Sequence, residues 1–259
     1  MPTRDEVIAA GRAMRATLGL VAPSSLAVVP GIEEYSTESI FGAIWSRPGL
    51  PLRERMLATL SSLSSLQRLQ QLRRYTGAAL NIGFTPEEVE EVFVHCSVHA
   101  GMPTAGASLG VAHEVFAERG VEPGPRDLPS RSLDESEALG MAVRSELFGD
   151  DDSPPPYLVA AAALQPEFAT WTRRYAFGGI FQRPGLDARS RVVCSVASLA
   201  AMGKEAQLSA FVRAASRLGM TSAEIGELLL QIGPYAGMPA SANAITVAAR
   251  ELSVDGDAR

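Results

Sequence analysis

FGAIWSRPGL at residues 41–50 returns as FGGIFQRPGL at residues 177–186, an offset of 136 positions (177 − 41). The offset continues without a gap at least as far as Gly101, which pairs with Gly237. Self-similarity at a fixed offset is the mark of an internal repeat. The chain is therefore predicted to consist of two similar units, whose residues correspond one to one from residue 41 to residue 101 of the first unit.

The boundary between the units is predicted from composition. The segment GVEPGPRDLPSR at residues 120–131 is rich in glycine, proline and charge, which is typical of a linker. We place the boundary inside it, which divides the chain into a first unit at 1–125 and a second at 126–259.

Both units are predicted to be helical. TPEE at residues 85–88 combines an N-cap threonine, a proline at the first helical position and a glutamate at the third, and TSAE at residues 221–224 repeats the capping box. The stretches that follow carry apolar residues at three- and four-residue spacing and end at Gly101 and Gly237. Alternating β-branched runs bounded by two-residue turns, which would indicate strands, are missing. The predicted class is all-α.

Composition limits the partners. The 259 residues are 46% hydrophobic and 20% charged, with a net charge of −6, and lysine and arginine are scattered without a basic block. Nucleic acid and anionic membranes are therefore unexpected partners, and a small-molecule substrate is expected. The amphipathic N-terminus and the lack of a long apolar run favour a cytoplasmic location. Cys96 and Cys194 are predicted to be buried free thiols.

The motifs occur in a recognisable order. With Arg-Pro-Gly-Leu, the Thr-x-x-Glu cap and the Ala-Gly-Met-Pro turn, each unit resembles the carboxymuconolactone decarboxylase family, which is related to the alkyl hydroperoxidase D-like fold. The resemblance covers nearly the whole chain, twice. It implies a compact helical unit that assembles into rings. We therefore expect a homo-oligomer, a trimer of two-unit chains first and a dimer next.

The peroxidase branch of this fold uses a Cys-x-x-Cys pair. At the two thiol positions the first unit has Arg68 and Gln71, and the second has Lys204 and Gln207. A disulfide-based peroxidase is disfavoured, because the nucleophilic and the resolving thiol are both missing. Two alternatives stay open: a divergent, thiol-independent redox protein, and a non-catalytic ring-forming or ligand-binding protein.

The decarboxylase branch, as the resemblance implies, keeps a histidine where this chain has Tyr75 and Phe211, and a tyrosine where it has His99 and Tyr235. At the histidine position this chain departs from the family pattern in both units. We expect an acid-base enzyme without a cofactor that decarboxylates, isomerises or ring-opens a small oxygenated, carboxylated or phenolic compound.

His99 is the first candidate for catalysis. An unperturbed histidine titrates near neutrality and a tyrosine at about pH 10, so His99 is predicted to transfer the proton and the first unit to carry the chemistry. Tyr75 is expected to orient the substrate or donate to an oxyanion, and Arg55 to hold an anionic group. The alternative for His99 is a histidine that only stabilises the end of its helix.

Further candidates are expected to contact the substrate: Arg47, Trp45, His95, Tyr235 and Arg191. Arg55 and Arg191 lie near the start of an apolar helix, where a cation is unfavourable. Each is therefore predicted to have a carboxylate partner or an anionic ligand. Glu88 and Glu224 are possible partners.

Three histidines raise the possibility of a zinc site. His95, His99 and His113 all lie in the first unit, and the second unit repeats the same turn without them, so the fold does not need a metal. A Gly-x-Gly-x-x-Gly turn after a strand is also missing. We expect no metal, flavin or nicotinamide.

Overall fold

The computed structural model describes residues 2–22, 28–149 and 156–252, and within these ranges it contains helices and no strand. The helices of the first unit are α1 (Arg4–Leu18), α2 (Ile32–Ser36), α3 (Leu52–Ser65), α4 (Leu69–Asn81), α5 (Pro86–Ala100) and α6 (Met102–Arg119). Those of the second unit are α7 (Leu133–Phe148), α8 (Pro156–Leu164), α9 (Glu167–Trp171), α10 (Ala188–Ala201), α11 (Glu205–Arg217), α12 (Ser222–Ala236) and α13 (Met238–Glu251). Two π-helical segments, Thr37–Trp45 and Thr172–Phe177, continue α2 and α9, and a 3-10 turn spans Ile180–Gln182. The all-α prediction is confirmed. In the described part of the chain, no helix has the length and apolar character to cross a membrane.

The predicted helix ends are confirmed. The Thr85 side chain accepts from the backbone N–H of Glu88, and the Glu88 carboxylate accepts from the backbone N–H of Thr85. The same capping box begins α12 at residues 221–224. Gly101 and Gly237 end α5 and α12 with φ values of 93° and 97°, a conformation that side chains rarely adopt. These helix ends fix the positions of the residues that precede each Gly-Met-Pro turn, His99 in the first unit and Tyr235 in the second.

Glycines let α1 cross closely over the π-helical segment that carries Trp45. A Cβ on Gly42 would lie 2.2 Å from the Val7 carbonyl oxygen, and one on Gly11 would lie 2.2 Å from that of Thr37. Real Cβ atoms do not approach backbone so closely, so neither position can take a side chain without a shift of the helices. The crossing therefore fixes the position of the segment.

Gly42→Ala is expected to lower the free energy of unfolding by about 1–3 kcal/mol, because the added methyl group meets backbone that cannot yield. Gly106→Ala, within α6, is the matched control. A Cβ there meets open space, and alanine favours a helix over glycine by up to about 1 kcal/mol. Urea unfolding of both variants checks the prediction, and a Gly42→Ala protein as stable as the natural chain would contradict it.

The two units meet at the centre of the core. Helix α3 packs against α10, α5 of the first unit packs against α10, and α12 of the second packs against α3. All residues from 55 to 64 in α3 and from 191 to 201 in α10 are buried, so polar side chains in these stretches need partners. Such reciprocal contacts are those of a two-fold relation. Each unit therefore supplies half of two corresponding sites.

The segment between α6 and α7 has no regular secondary structure over residues 121–132. This agrees with the linker predicted at residues 120–131. The boundary within it, after residue 125, stays a prediction.

Candidate active site

The predicted site residues fall into two clusters between the units. The tyrosine cluster consists of Trp45, Arg55, Thr59, Tyr75, Glu227, Gln231 and Tyr235. The histidine cluster consists of Glu91, His95, His99, Phe181, Arg191, Ser195 and Phe211. At the offset of 136, each residue of one cluster corresponds to one residue of the other.

The rings of the tyrosine cluster satisfy one another. Trp45 Nε1 donates to the Tyr235 hydroxyl at 2.7 Å, and that hydroxyl donates to the Tyr75 hydroxyl at 2.8 Å. Burial raises the pKa of Tyr75 to about 12, and burial together with the neighbouring Tyr75 raises the pKa of Tyr235 well above 10. Both phenols therefore stay protonated at neutral pH.

Arg55 is held by this cluster. It is fully buried, and its Nη2 donates to Glu227 at 2.7 Å and to the Arg47 carbonyl oxygen at 3.0 Å. Its Nη1 donates to Gln231 Oε1 at 3.1 Å, and Gln231 Nε2 donates to Thr59 at 3.2 Å. Only Nε lacks a partner among the described residues. The predicted carboxylate partner is confirmed.

The identity of that partner was wrong in the sequence prediction. Glu88 pairs with Arg53, and Glu224 pairs with Arg189 at 2.7 Å. Both glutamates lie at the N-terminus of a helix, where capping turns them away from the interior.

In the histidine cluster two imidazoles share one hydroxyl. His95 Nε2 and His99 Nε2 each lie 2.9 Å from Ser195 Oγ. A hydroxyl has one proton, so Ser195 can donate to one ring and accept from the other. The two rings therefore carry their protons on different nitrogens.

Both histidines are kept neutral by burial. His95 packs on Phe181 at 4.7 Å between ring centroids, and His99 packs on Phe211 at 5.3 Å. Burial lowers the pKa of His99 to about 4. Burial, followed by the electrostatic effects of the neighbouring His99 and Arg191, lowers the pKa of His95 well below 6.5. The expectation that His99 titrates near neutrality is thus wrong for this structure, because burial disfavours the charged imidazolium.

Arg191 is held less completely than Arg55. Its Nη2 donates to the Arg183 carbonyl oxygen at 2.5 Å, but the nearest Glu91 oxygen is 3.8 Å away. Nε and Nη1 of Arg191 have no hydrogen-bond partner in the described part of the chain, nor has His95 Nδ1. Two of the three guanidinium nitrogens of this buried cation thus donate to no group that the structure describes.

Comparison with known proteins identifies the family. A model of the carboxymuconolactone decarboxylase family matches residues 30–114 and again residues 166–250. The two matches are 136 positions apart (166 − 30), the offset of the repeat, and together they cover more than half of the chain. The chain belongs to the carboxymuconolactone decarboxylase family. The resemblance and the tandem arrangement of two family units are confirmed.

Curated relatives match over less than one repeat. The chain is 38% identical over 91 residues to 4-carboxymuconolactone decarboxylase of Acinetobacter baylyi, which covers 35% of this chain and 68% of the relative. It is 36% identical over 87 residues to nitrosuccinic acid decarboxylase of Metarhizium robertsii, and this match covers 34% of this chain and 60% of the relative. An uncharacterized 15.0 kDa protein of Paracoccus denitrificans is 36% identical over 74 residues, and this match covers 28% of this chain and 55% of the relative.

In the structure, the family positions of one unit contact those of the other unit. Tyr75 lies beside Tyr235 of the other unit, and His99 lies beside Phe211. The sequence prediction placed His99, Tyr75 and Arg55 in one site of the first unit, and this grouping is wrong because α5 packs against the other unit. Their catalytic roles stay predictions.

The remaining candidates have definite places. Trp45 and Tyr235 belong to the tyrosine cluster, and Arg47 pairs with Glu227 at its edge, with Nε to carboxylate distances of 2.7 and 2.9 Å. His95 and Arg191 belong to the histidine cluster. Whether any of them contacts a substrate stays a prediction.

Two residues of the histidine cluster escaped the sequence prediction. Ser195 bonds both histidines, and Glu91 accepts from Arg183 at 2.7 Å. The repeat held the signal for both, since the offset of 136 pairs Ser195 with Thr59 and Glu91 with Glu227.

The third histidine pairs with a glutamate. His113 Nε2 is 2.6 Å from Glu90 Oε1 on the neighbouring helix, whereas the rings of His95 and His99 are 5.8 Å apart. Within the described ranges no group of three or more histidine, cysteine, aspartate or glutamate side chains could hold a metal ion. The zinc alternative thus has no ligand set in this part of the chain.

Proposed function

We propose that this protein decarboxylates a small, oxygenated carboxylic acid at the histidine cluster, with His99 as the proton-transferring residue. The observation that supports this is the pair of neutral imidazoles on one buried hydroxyl, next to a buried cation with unused N–H donors. A cation can hold the carboxylate, and an imidazole can supply the proton that replaces the lost carboxyl group.

The substrate itself supplies the condition for proton transfer. A carboxylate about 4 Å from an imidazolium gains about 4 kcal/mol at an effective dielectric constant of about 20, which raises a pKa by about 3. From about 4 in this structure, the pKa of His99 then approaches neutrality. When the substrate carboxylate binds, His99 can therefore take up a proton from solvent, and this is the proton that the reaction consumes.

The proposed reaction is balanced in atoms and electrons. The bond to the carboxyl carbon breaks, carbon dioxide leaves, and the electron pair passes into a carbonyl or lactone of the substrate as an enolate. The imidazolium of His99 then gives its proton to the carbon, and the next proton comes from solvent. Because the carbonyl accepts the electrons, the proposed step draws on no cofactor.

The test is a carbon dioxide release assay on a panel of small keto, lactone and phenolic carboxylic acids. The methyl ester of each acid is the control, because an ester cannot lose carbon dioxide and carries no charge for Arg191. Release from one or more acids and from no ester supports the proposal. Consumption of acids without release of carbon dioxide would contradict it and point to isomerisation or ring opening.

Thiol redox chemistry is not supported by the surroundings of the cysteines. Cys96 and Cys194 are free and buried, as predicted. Burial raises the pKa of Cys96 and raises that of Cys194 to about 12. Since the thiolate is the reactive form, we expect a thiol-blocking reagent to leave activity unchanged.

We also propose that the chain assembles with copies of itself. Exposed apolar side chains repeat at the same places in both units: Val28, Ile32 and Tyr35 in the first, and Leu164, Phe168 and Trp171 in the second. Contiguous exposed apolar groups mark interaction surfaces, and a repeated surface fits a closed homo-oligomer. Light scattering at micromolar concentration is expected to show a trimer or a dimer; a particle of 27.4 kDa would contradict this.

A further inference from the structure

The two clusters differ most in how their buried arginine meets its glutamate. In the tyrosine cluster Arg55 donates directly to Glu227 at 2.7 Å. In the histidine cluster the corresponding Arg191 is 3.8 Å from Glu91, which is beyond a hydrogen bond. A buried cation without a directly bonded anion is unfavourable, so this difference needs a cause.

The glutamate of the histidine cluster has a third arginine beside it. Glu91 already accepts from Arg183 at 2.7 Å and from Arg126 of the linker at 3.0 Å. Arg126 also pairs with the neighbouring Glu90. For Glu227, by contrast, the ion pairs within the described ranges are those with Arg47 and Arg55. Glu91 therefore has one arginine partner more than Glu227, and that partner comes from the linker.

A second difference frees the other side of the guanidinium. Gln231 accepts a hydrogen bond from Arg55 Nη1, but the corresponding His95 is a rigid ring whose Nε2 is bound to Ser195. His95 Nδ1 and Arg191 Nη1 both lack a partner among the residues that the structure describes. Both atoms are buried, and buried polar atoms are nearly always paired in proteins.

We propose that Arg191 is the carboxylate-binding residue of the histidine cluster, and that Arg126 is a positioning residue that keeps it available by holding Glu91. The assignment of the bound group as the substrate's carboxylate rests on the proposed function. A carboxylate fits because its oxygens accept charge-assisted hydrogen bonds from guanidinium N–H groups, which are stronger than those between neutral partners. A neutral amide of the same size lacks this charge.

The experiment measures binding without turnover. The protein contains three histidines, so ring signals of histidine-labelled protein can be followed by NMR during titration with acetate and, separately, with acetamide. Acetate is expected to shift the signals of His95 and His99 and to bind at least about tenfold more tightly than acetamide. Equal binding of the two probes would overturn the proposal.

Variants separate positioning from general stabilisation. Arg126→Gln is expected to weaken acetate binding by about tenfold, because the released Glu91 competes for Arg191. Adding Glu91→Gln removes the competitor, so the double variant is expected to return to within about threefold of the natural affinity. Arg53→Gln is the control. It removes the ion pair with Glu88, which lies on α5 as Glu91 does, and it should bind acetate unchanged.

Two results would overturn the inference: an Arg126→Gln protein with natural acetate affinity, or a double variant that binds no better than Arg126→Gln. A purely structural role for Arg126 would not be rescued by Glu91→Gln. If acetate binds as expected but no acid releases carbon dioxide, the anion site stands and the proposed reaction fails. If acids are decarboxylated while acetate binding ignores Arg126, the reaction stands and this inference fails.

Discussion

His99→Gln is expected to lower turnover by about 100- to 10,000-fold, the usual contribution of general acid-base catalysis. Glutamine keeps a polar group near Ser195 but cannot carry and release a proton. Tyr235→Phe, at the corresponding position of the other cluster, is the matched variant. Its hydroxyl is bound by Trp45 and Tyr75, so its loss is expected to lower stability and to change turnover much less.

Both variants must first be shown to fold and to assemble as the natural chain does. Turnover is then compared on the acid that releases carbon dioxide fastest. If Tyr235→Phe proved the more damaging, the tyrosine cluster would be the active one. His99 would then be a helix-end histidine without a part in catalysis.

The pH profiles of kcat/KM and kcat are expected to differ by about 3 pH units. The reactive form is the imidazolium of His99, whose pKa in this structure is about 4. Because kcat/KM reports the free enzyme, it should fall about tenfold for each unit of pH rise between 5 and 7. In the complex the substrate carboxylate raises the pKa, so kcat should stay level up to about pH 7 and fall only above it.

Initial rates over substrate concentration, measured at half-unit steps from pH 5 to 8, give both profiles. The residual activity of His99→Gln is the control, and it should lose the tenfold slope in kcat/KM. Two profiles that turn at the same pH would contradict the idea that the substrate's charge brings the proton.

The sequence was sufficient for the fold because the deciding interactions are local. The cap at Thr85 and the turn at Gly101 each depend on atoms within about four residues, and the repeat confirms them a second time. The partners in the clusters are far apart in the chain: His99 and Ser195 are separated by 96 positions, and Arg55 and Glu227 by 172. Neither separation equals the repeat, so the offset alone could not pair them.

The pKa of His99 was out of reach for the same reason. The sequence shows a histidine before a turn, and there an ordinary value near 6.5 is the natural expectation. The ring that packs on it, Phe211, and the ring beside that one, Phe181, come from the other unit. Only the packing of α5 against that unit shows that the imidazole is neutral at pH 7.

Joining the two units in one polypeptide has a consequence for how such a protein can change over generations. A dimer of identical subunits must alter both of its sites together, because each substitution occurs twice. In a fused chain one site can keep its reactivity while the other turns into scaffold. The segment that joins the copies runs past one site, as Arg126 does beside Glu91. Fusion thus supplies the asymmetry on which a division of labour between duplicated sites depends.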